Sequence, residues 1–249
     1  MREKKEPITV YWAPAQFLLD NESWNFVYQE PKSVSKDFYD NLHKGTDSSR
    51  CPAARFFYHN TFSINSVIED KFRFPQGMLY DLYNTDEIHM RLPVDTNVAI
   101  EKTRQNEMID HVNLSYNLAW FFFSEEDLTM RFSAPYFPAS SPMKGARLAS
   151  GSFDIGKWLR PVNLEYYVPL DVTEFSVEED QPLAFVEFDT DRPVVLQRFN
   201  LNQRLANIVG EIVESDRYGF LRSLQDRYNL FKKTRMRDII IAEIKKNLV

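Results

Sequence analysis

The segment Gly151–Lys157 comes closest to a cofactor-binding motif in this chain. Its Gly-x-x-x-x-Gly-Lys spacing matches the start of the loop that cradles nucleotide phosphates with backbone amides. The next position should be a Ser or Thr that ligates Mg²⁺, but it is Trp158. The loop must also lead into a helix, which Pro161 obstructs. We therefore predict a strand and a turn with Trp158 in the core, and no nucleotide site.

Metal chemistry has little support from the histidines. The four histidines, His43, His59, His89 and His111, lack the close spacing of metal-binding motifs. One alternative is kept: a small metal-dependent enzyme on a β-barrel, in which His59, His111 and a distant carboxylate such as Glu69 or Asp110 meet in space. The main prediction is that the chain has no catalytic residue, no bound metal and no cofactor.

The remaining reactive side chains are one cysteine and several acidic groups. Cys51 is the only cysteine, which excludes a disulfide or a multi-thiolate metal site within the chain. It becomes a nucleophile candidate only if a histidine is held beside it, so a packing role is preferred. Clustered carboxylates can support acid–base chemistry, but these occur at predicted turns and are interpreted as solvated. They are Glu125–Asp127, Glu174, Glu178–Asp180 and Asp189–Asp191.

The basic stretch Arg227–Arg237 contains five positive and no negative side chains. Such a stretch can contact phosphates, anionic lipid or an acidic protein. Tyr228 and Phe231 suit base stacking and helix packing equally. Because the rest of the chain is acidic, we favour an acidic protein surface, including that of another copy, over nucleic acid. The predicted interaction residues are Lys232, Lys233, Arg235, Arg237, Ile239, Ile240 and Ile244.

Charge and proline divide the chain near Asn200. Residues 200–249 hold ten Lys and Arg and six Asp and Glu, a net of +4, whereas residues 1–199 hold twenty and thirty, a net of −10. All 13 prolines precede the boundary. We therefore predict a β-rich domain over 1–199 and a helical segment over 200–249. The longest apolar run, Leu118–Phe123, is far shorter than the roughly 20 residues of a membrane span.

The strongest strand signal is strict alternation over Val112–Phe122, which places six apolar residues on one face and polar residues on the other. With few helical patterns between the strands, the chain is predicted to be mainly β, an antiparallel sandwich or barrel with a helical C-terminal segment. The other predicted strands are Thr9–Trp12, Asn25–Tyr28, Phe56–Ile64, Lys71–Phe74, Asn97–Glu101, Leu128–Ser133, Asn163–Val168, Leu183–Phe188 and Val194–Phe199.

The C-terminal segment shows the 3.6-residue period of amphipathic helices. The first helix is predicted from about Leu201 to Val213, with Asn200 or Asn202 as its cap. Two more are predicted over about Gly219–Tyr228 and Thr234–Leu248. In the last helix Ile241 lies off the main apolar stripe, so residues 230–249 are expected to form an intermolecular contact that weakens with salt.

Several segments in combination resemble an uncharacterised family of tailed bacteriophages, especially marine ones. The similar segments are Tyr11–Phe17, Cys51–Phe62, Ser133–Phe137, Gly151–Pro161 and Gln181–Phe188. The resemblance covers about residues 8–190. It implies a viral protein located in the host cytoplasm or the virion. No activity is established for that family, so no catalytic residue is carried over.

These features together predict a non-enzymatic phage protein that acts through protein–protein contacts, either as a virion component or as an assembly or accessory factor. Its partner would be another protein or a second copy, reached through the C-terminal helices, and no membrane is expected. Besides the metal-dependent enzyme, the alternative is a host-takeover factor that binds a host protein through the basic helices.

Overall fold

Three sheets and three C-terminal helices account for most of the described chain. The computed structural model describes residues 5–15, 28–37, 58–93, 95–105, 107–135, 142–214 and 223–249. The strands are β1 (Ile8–Pro14), β2 (Lys32–Ser33), β3 (Thr61–Asn65), β4 (Asp70–Arg73), β5 (Met90–Arg91), β6 (Ile100–Lys102), β7 (His111–Ser124), β8 (Thr129–Ser133), β9 (Arg147–Leu148), β10 (Gly151–Asp154), β11 (Pro161–Pro169), β12 (Glu174–Val177), β13 (Pro182–Phe188) and β14 (Val194–Arg198). The helices are α1 (Val34–Asp37), α2 (Met78–Asn84), α3 (Gln203–Glu214), α4 (Leu224–Lys233) and α5 (Met236–Ile244).

The long strand β7 organises the largest sheet. That sheet has seven strands in the order β14-β1-β7-β11-β9, with β6 also paired to β7 and β5 paired to β6. Strands β1 and β6 contact successive parts of β7, because β1 pairs with Trp120–Ser124 and β6 pairs with Leu114–Tyr116. The pair β1–β14 is parallel and the other pairs of this sheet are antiparallel.

The two smaller sheets face the inner side of β7. A five-stranded sheet has the order β10-β8-β13-β3-β2, and β12 pairs with β4 in a third sheet. Phe122 of β7 lies 5.9 Å from Phe188 of β13, and Tyr116 lies 4.7 Å from Phe175 of β12, measured between ring centroids. All three sheets thus contribute to one apolar core. The even-numbered residues of β7, from Val112 to Phe122, lie in it.

A second core lies on the opposite face of β7, beneath the C-terminal helices. Phe121 and Phe123 of β7 are fully buried there together with Tyr11 of β1. The helices cover them with five buried side chains: Leu205, Val209, Phe231, Ile240 and Ile244. The last third of β7 is therefore buried on both faces, as its run of consecutive aromatic residues requires.

Local side-chain bonds fix where these helices begin. The Asn202 side chain accepts a hydrogen bond of 2.9 Å from the Leu205 N–H, so the prediction that Asn202 caps the first helix is confirmed. Helix α4 begins after Ser223, which forms a reciprocal capping box with Asp226. Helix α5 ends at Ile244, earlier than predicted, because Leu248 turns back to form a bridge with Phe199.

The predicted fold class is confirmed: the chain is rich in sheet and has a helical C-terminus. The barrel alternative is wrong, because the sheets described here are open and end in edge strands. The short strands β2, β5, β9 and β12 and the helices α1 and α2 were not predicted, because elements of two to seven residues show almost no periodicity in the sequence. Helix α4 runs to Lys233, beyond the predicted end at Tyr228. The predicted strand over 25–27 and the residues 56–57 lie outside the described residues, as does Cys51.

Candidate binding surfaces

The segment Gly151–Lys157 is the strand and turn that its sequence predicted. Strand β10 ends at Asp154, a turn follows, and the chain continues into β11 without a helix. The Lys157 ammonium lies 2.7 Å from Asp154 and 2.8 Å from Asp127. The side chain of Trp158 is buried in the main core. A lysine held between two carboxylates, with no helix following it in the chain, lacks the phosphate cradle of the motif.

We expect neither the natural chain nor the Lys157→Ala variant to bind ATP with Mg²⁺. Asp154 and Asp127 occupy the ammonium that a phosphate would need, and their negative charge repels the nucleotide. Isothermal titration calorimetry on both proteins checks this. Micromolar affinity that is present in the natural chain and lost in the variant would show that the turn does bind nucleotide.

The two histidines of the metal alternative lie at opposite ends of β7. His111 is the first residue of β7. His59 lies in a turn, and the side chain of the next residue, Asn60, donates to the carbonyls of Thr190 and Arg192. That segment contacts the start of β8, which follows the end of β7. The 14 residues of β7 separate these ends by roughly 40 Å at about 3.3 Å per residue. The structure therefore does not bring His59 and His111 together. Within the described ranges there is also no group of three or more His, Cys, Asp or Glu side chains placed to hold a metal.

The acidic turn Glu125–Asp127, between β7 and β8, anchors the last helix. The Arg237 guanidinium donates to the Gly156 carbonyl at 2.5 Å and pairs with Asp127. Lys245 lies 2.8 Å from Glu125, which also accepts from the Tyr11 hydroxyl. The hydrogen bonds from Lys245 and Tyr11 lower the pKa of Glu125. Glu125 and Asp127 are therefore not solvated as predicted but paired with cations of the C-terminal segment and of the turn that contains Lys157, whereas Glu126 pairs with Arg192 at 2.7 Å.

The predicted interaction residues divide into inward and outward groups. Ile240 and Ile244 are fully buried in the second core, and Arg237 is bound to the acidic turn. Arg235 pairs with Asp238 at 3.1 Å. Ile239 is 40% exposed, and Lys232 and Lys233 are exposed and form no ion pair with a described carboxylate. Three of the seven predicted residues are thus free to meet a partner.

Leu230 adds a second apolar side chain to this outward group. It is 45% exposed on α4, although its helix neighbour Phe231 is buried. Leu230, Lys232, Lys233 and Ile239 are together called the outer helical surface below. These four side chains supply two exposed apolar contacts and two ammonium groups that pair with no described carboxylate, so they can contact an acidic protein.

A polar groove crosses the outer face of the largest sheet, beside the helices. Two adjoining cavities of about 310 and 360 Å³ share Arg104, Asn163 and Glu165 as lining residues. The outer face of β7 supplies Ser115 and Asn117 to the groove. On the same face, the next residues are the apolar Ala119, Phe121 and Phe123. The groove therefore lies where the helical layer ends and polar residues replace apolar ones.

An ion-pair network closes one wall of this groove. The Arg104 guanidinium lies 2.9 Å from Glu165 and 3.2 Å from Glu107. The Tyr167 hydroxyl donates to Glu107 at 2.9 Å, and this bond and the Arg104 contact lower the pKa of Glu107. Both carboxylates are thereby fixed, and the charge of Arg104 is already neutralised within the chain.

An arginine held against aromatic rings also lines this groove. The Arg160 guanidinium lies 4.8 Å from the Trp158 ring centroid and 5.7 Å from that of Phe153. Arg227 lies 5.1 Å from the same Trp158 ring. Burial lowers the pKa of Arg160, and the nearby charges of Arg104 and Arg227 act in the same direction while Glu165 opposes them.

Two buried polar atoms beside the groove have no hydrogen-bond partner among the described residues. They are Thr103 Oγ1 and Asn163 Oδ1. Sequence reasoning missed this groove, because Arg104, Arg160 and Glu165 come from separate segments and match no motif. One signal was present: the face of β7 opposite the core reads His111, Asn113, Ser115 and Asn117 before it turns apolar.

Comparisons with protein-family models, with curated proteins and with solved structures find no match to this chain. In the part of the chain that the structure describes, no helix is both long and apolar enough to cross a membrane.

Proposed function

We propose that this chain is a non-enzymatic protein that acts through protein–protein contacts made by the outer helical surface, with a second copy of the chain as the partner. The resemblance to a tailed-phage family supports a role as a virion component or as an assembly or accessory factor. The observation that carries the proposal is that α4 and α5 bury one side in the second core and leave Leu230, Ile239, Lys232 and Lys233 exposed.

The exposure of these side chains favours a partner over a purely structural role. Folding has already used Phe231, Ile240 and Ile244 to cover β7, with Met236 and Ile241 packed against the same core, whereas Leu230 and Ile239 do not belong to it. Association is stabilised when a partner removes the apolar area of Leu230 and Ile239 from water, and the two lysines, which reach no described carboxylate, can pair with acidic groups of that partner.

The charge distribution favours a second copy as that partner. Residues 200–249 carry a net charge of +4 and residues 1–199 carry −10, so the helical segment of one copy is complementary to the strand-rich part of another. Within one copy, Lys232 and Lys233 reach no described carboxylate, whereas Arg235, Arg237 and Lys245 do. Among the described cations of the last two helices, these two lysines therefore remain available for an intermolecular contact.

We expect the double variant Lys232→Glu/Lys233→Glu to associate at least tenfold more weakly than the natural chain at low salt. Two repulsive contacts would replace two attractive ones, at a cost of about 1.4 kcal/mol or more. Sedimentation equilibrium at low and high salt measures the association. Salt should weaken the self-association of the natural chain but not that of the variant.

The control is Lys71→Glu/Arg73→Glu, which makes the same change of charge on exposed positions of β4. This control should associate like the natural chain if the position of the charge matters. Equal association of all three proteins at both salt concentrations would contradict the proposal.

A further inference from the structure

We propose that the cavity beside Arg160 is a binding site for a carboxylate group. The site uses Arg160 and the edge of β10, and none of the residues of the outer helical surface, so the inference does not rest on the proposed function. The cavity has a volume of about 310 Å³ and is lined by Arg160, Arg104, Ser152 and Asn163, with Trp158 and Phe153 beneath the guanidinium.

Arg160 forms no ion pair with a described carboxylate, although Glu165 lines the same cavity. The one hydrogen bond it makes among the described residues runs from Nε to the Pro161 carbonyl at 3.4 Å, the long end of the range for such a bond. The rings of Trp158 and Phe153 lie against the guanidinium of Arg160. Its two terminal NH2 groups donate to no acceptor among the described residues. A partly buried guanidinium normally pairs with an anion, because desolvating an unpaired charge is costly.

The neighbouring charges select a single negative charge. Glu165 and Glu107 both pair with Arg104, so Arg160 is the guanidinium of this cavity that forms no ion pair among the described residues. Glu165 also lines the cavity and would repel a doubly charged phosphate more strongly than a carboxylate. The planar fork of a guanidinium matches the two oxygens of a carboxylate, which can accept two parallel hydrogen bonds.

The edge of β10 supplies a backbone donor to the same cavity. The Ile155 N–H binds the Leu128 carbonyl, towards β8, whereas the Asp154 N–H binds the Tyr228 hydroxyl on the opposite side. Backbone groups alternate in direction along an antiparallel strand, so the Ser152 N–H points the same way as that of Asp154, away from β8. Ser152 lines the cavity, which places an edge N–H and the Arg160 guanidinium around one space.

The test is a titration of the natural chain with sodium acetate, followed by nitrogen–proton NMR at constant ionic strength set with sodium chloride. We expect saturable shifts of the Arg160 Nε signal and of the Ser152 amide signal, with a shared dissociation constant on the order of 10 mM. This measurement needs no variant, so it stands even if a substitution disturbs folding.

Variants then identify the cation that carries binding. Arg160→Gln should weaken acetate binding at least tenfold, and Arg160→Lys should weaken it less because it keeps the charge but loses the planar fork. The matched control is Arg73→Gln, which removes the same charge from an exposed position on β4. This control should bind acetate like the natural chain.

Further ligands separate the sources of the carboxylate. Tighter binding of N-acetylglycine than of acetate would indicate the C-terminus of a peptide, tighter binding of N-acetylaspartate diamide an acidic side chain, and equal binding a small carboxylate; each supports the site. The proposal is overturned if acetate gives no saturable shift, if Arg160→Gln binds it unchanged, or if inorganic phosphate binds at least tenfold more tightly.

Discussion

Deletion of residues 230–249 is expected to abolish the cooperative unfolding transition of this protein. The deletion removes Phe231, Ile240 and Ile244 from the second core and leaves Phe121 and Phe123 of β7 uncovered. Truncating one such side chain costs about 2–5 kcal/mol, and a whole domain is stable by only about 5–15 kcal/mol. Urea unfolding followed by tryptophan fluorescence checks the result. The deletion therefore cannot separate folding from association, contrary to what the amphipathic pattern alone predicts.

Two adjacent isoleucines provide the matched test of this core. Ile240→Ala should lower the free energy of unfolding by about 3 kcal/mol, because Ile240 is fully buried. Ile239→Ala removes the same atoms from a side chain that is 40% exposed, and we expect a loss below about 1 kcal/mol. If the two variants lose equal stability, or if the deletion variant unfolds at the same urea concentration as the natural chain, the second core is not as described.

Gly156→Ala is expected to destabilise the chain by about 3 kcal/mol or more, since overpacking against backbone leaves little room for relaxation. A Cβ atom at this position would lie 1.9 Å from the Glu126 carbonyl oxygen and 2.8 Å from its carbon. The acidic turn would have to move, and with it the Asp127 carboxylate that Lys157 and Arg237 bind. The midpoint of thermal or urea unfolding measures the change.

Gly210→Ala is the control for that substitution. Nothing lies within 4 Å of a Cβ built at Gly210 on α3. Alanine there should raise stability by up to about 1 kcal/mol, because glycine is the poorer helix former. Unchanged stability of Gly156→Ala would mean that the turn between β10 and β11 is not packed against the acidic turn.

The alternation of apolar and polar residues, and the 3.6-residue period of amphipathic helices, correctly predicted those strands and helices whose pattern lies within a single segment. The even-numbered apolar residues of β7 and the stripe of α3 are local patterns, and both elements formed within two residues of their predicted ends. The caps of α3 and α4 follow equally from local chemistry, through Asn202 and Ser223.

The second core could not be predicted from one helix at a time. The stripe that contains Ile240 and Ile244 needs a cover, but its pattern does not say whether the cover is the chain itself or a partner. The partner of that stripe lies in β7, where Ala119, Phe121 and Phe123 make the outer face apolar after a polar start. A strand that is apolar on both faces requires a second layer, and α3, α4 and α5 supply it.

The polar groove depends on contacts between distant segments. Arg104 follows β6, Arg160 precedes β11 and Ser152 lies in β10, so no sequence spacing relates them. Their meeting depends on how β7 pairs with both β6 and β11, a long-range property of the sheet.

Hydrogen–deuterium exchange of the natural chain at low and high protein concentration tests the proposed contact most directly. We expect increased protection at high concentration in peptides that contain Leu230, Lys232, Lys233 and Ile239, together with an acidic segment from residues 1–199. Protection of β7 should stay unchanged, because its last third is buried within each copy at any concentration. Equal exchange of the α4 and α5 peptides at both concentrations would contradict association through the outer helical surface.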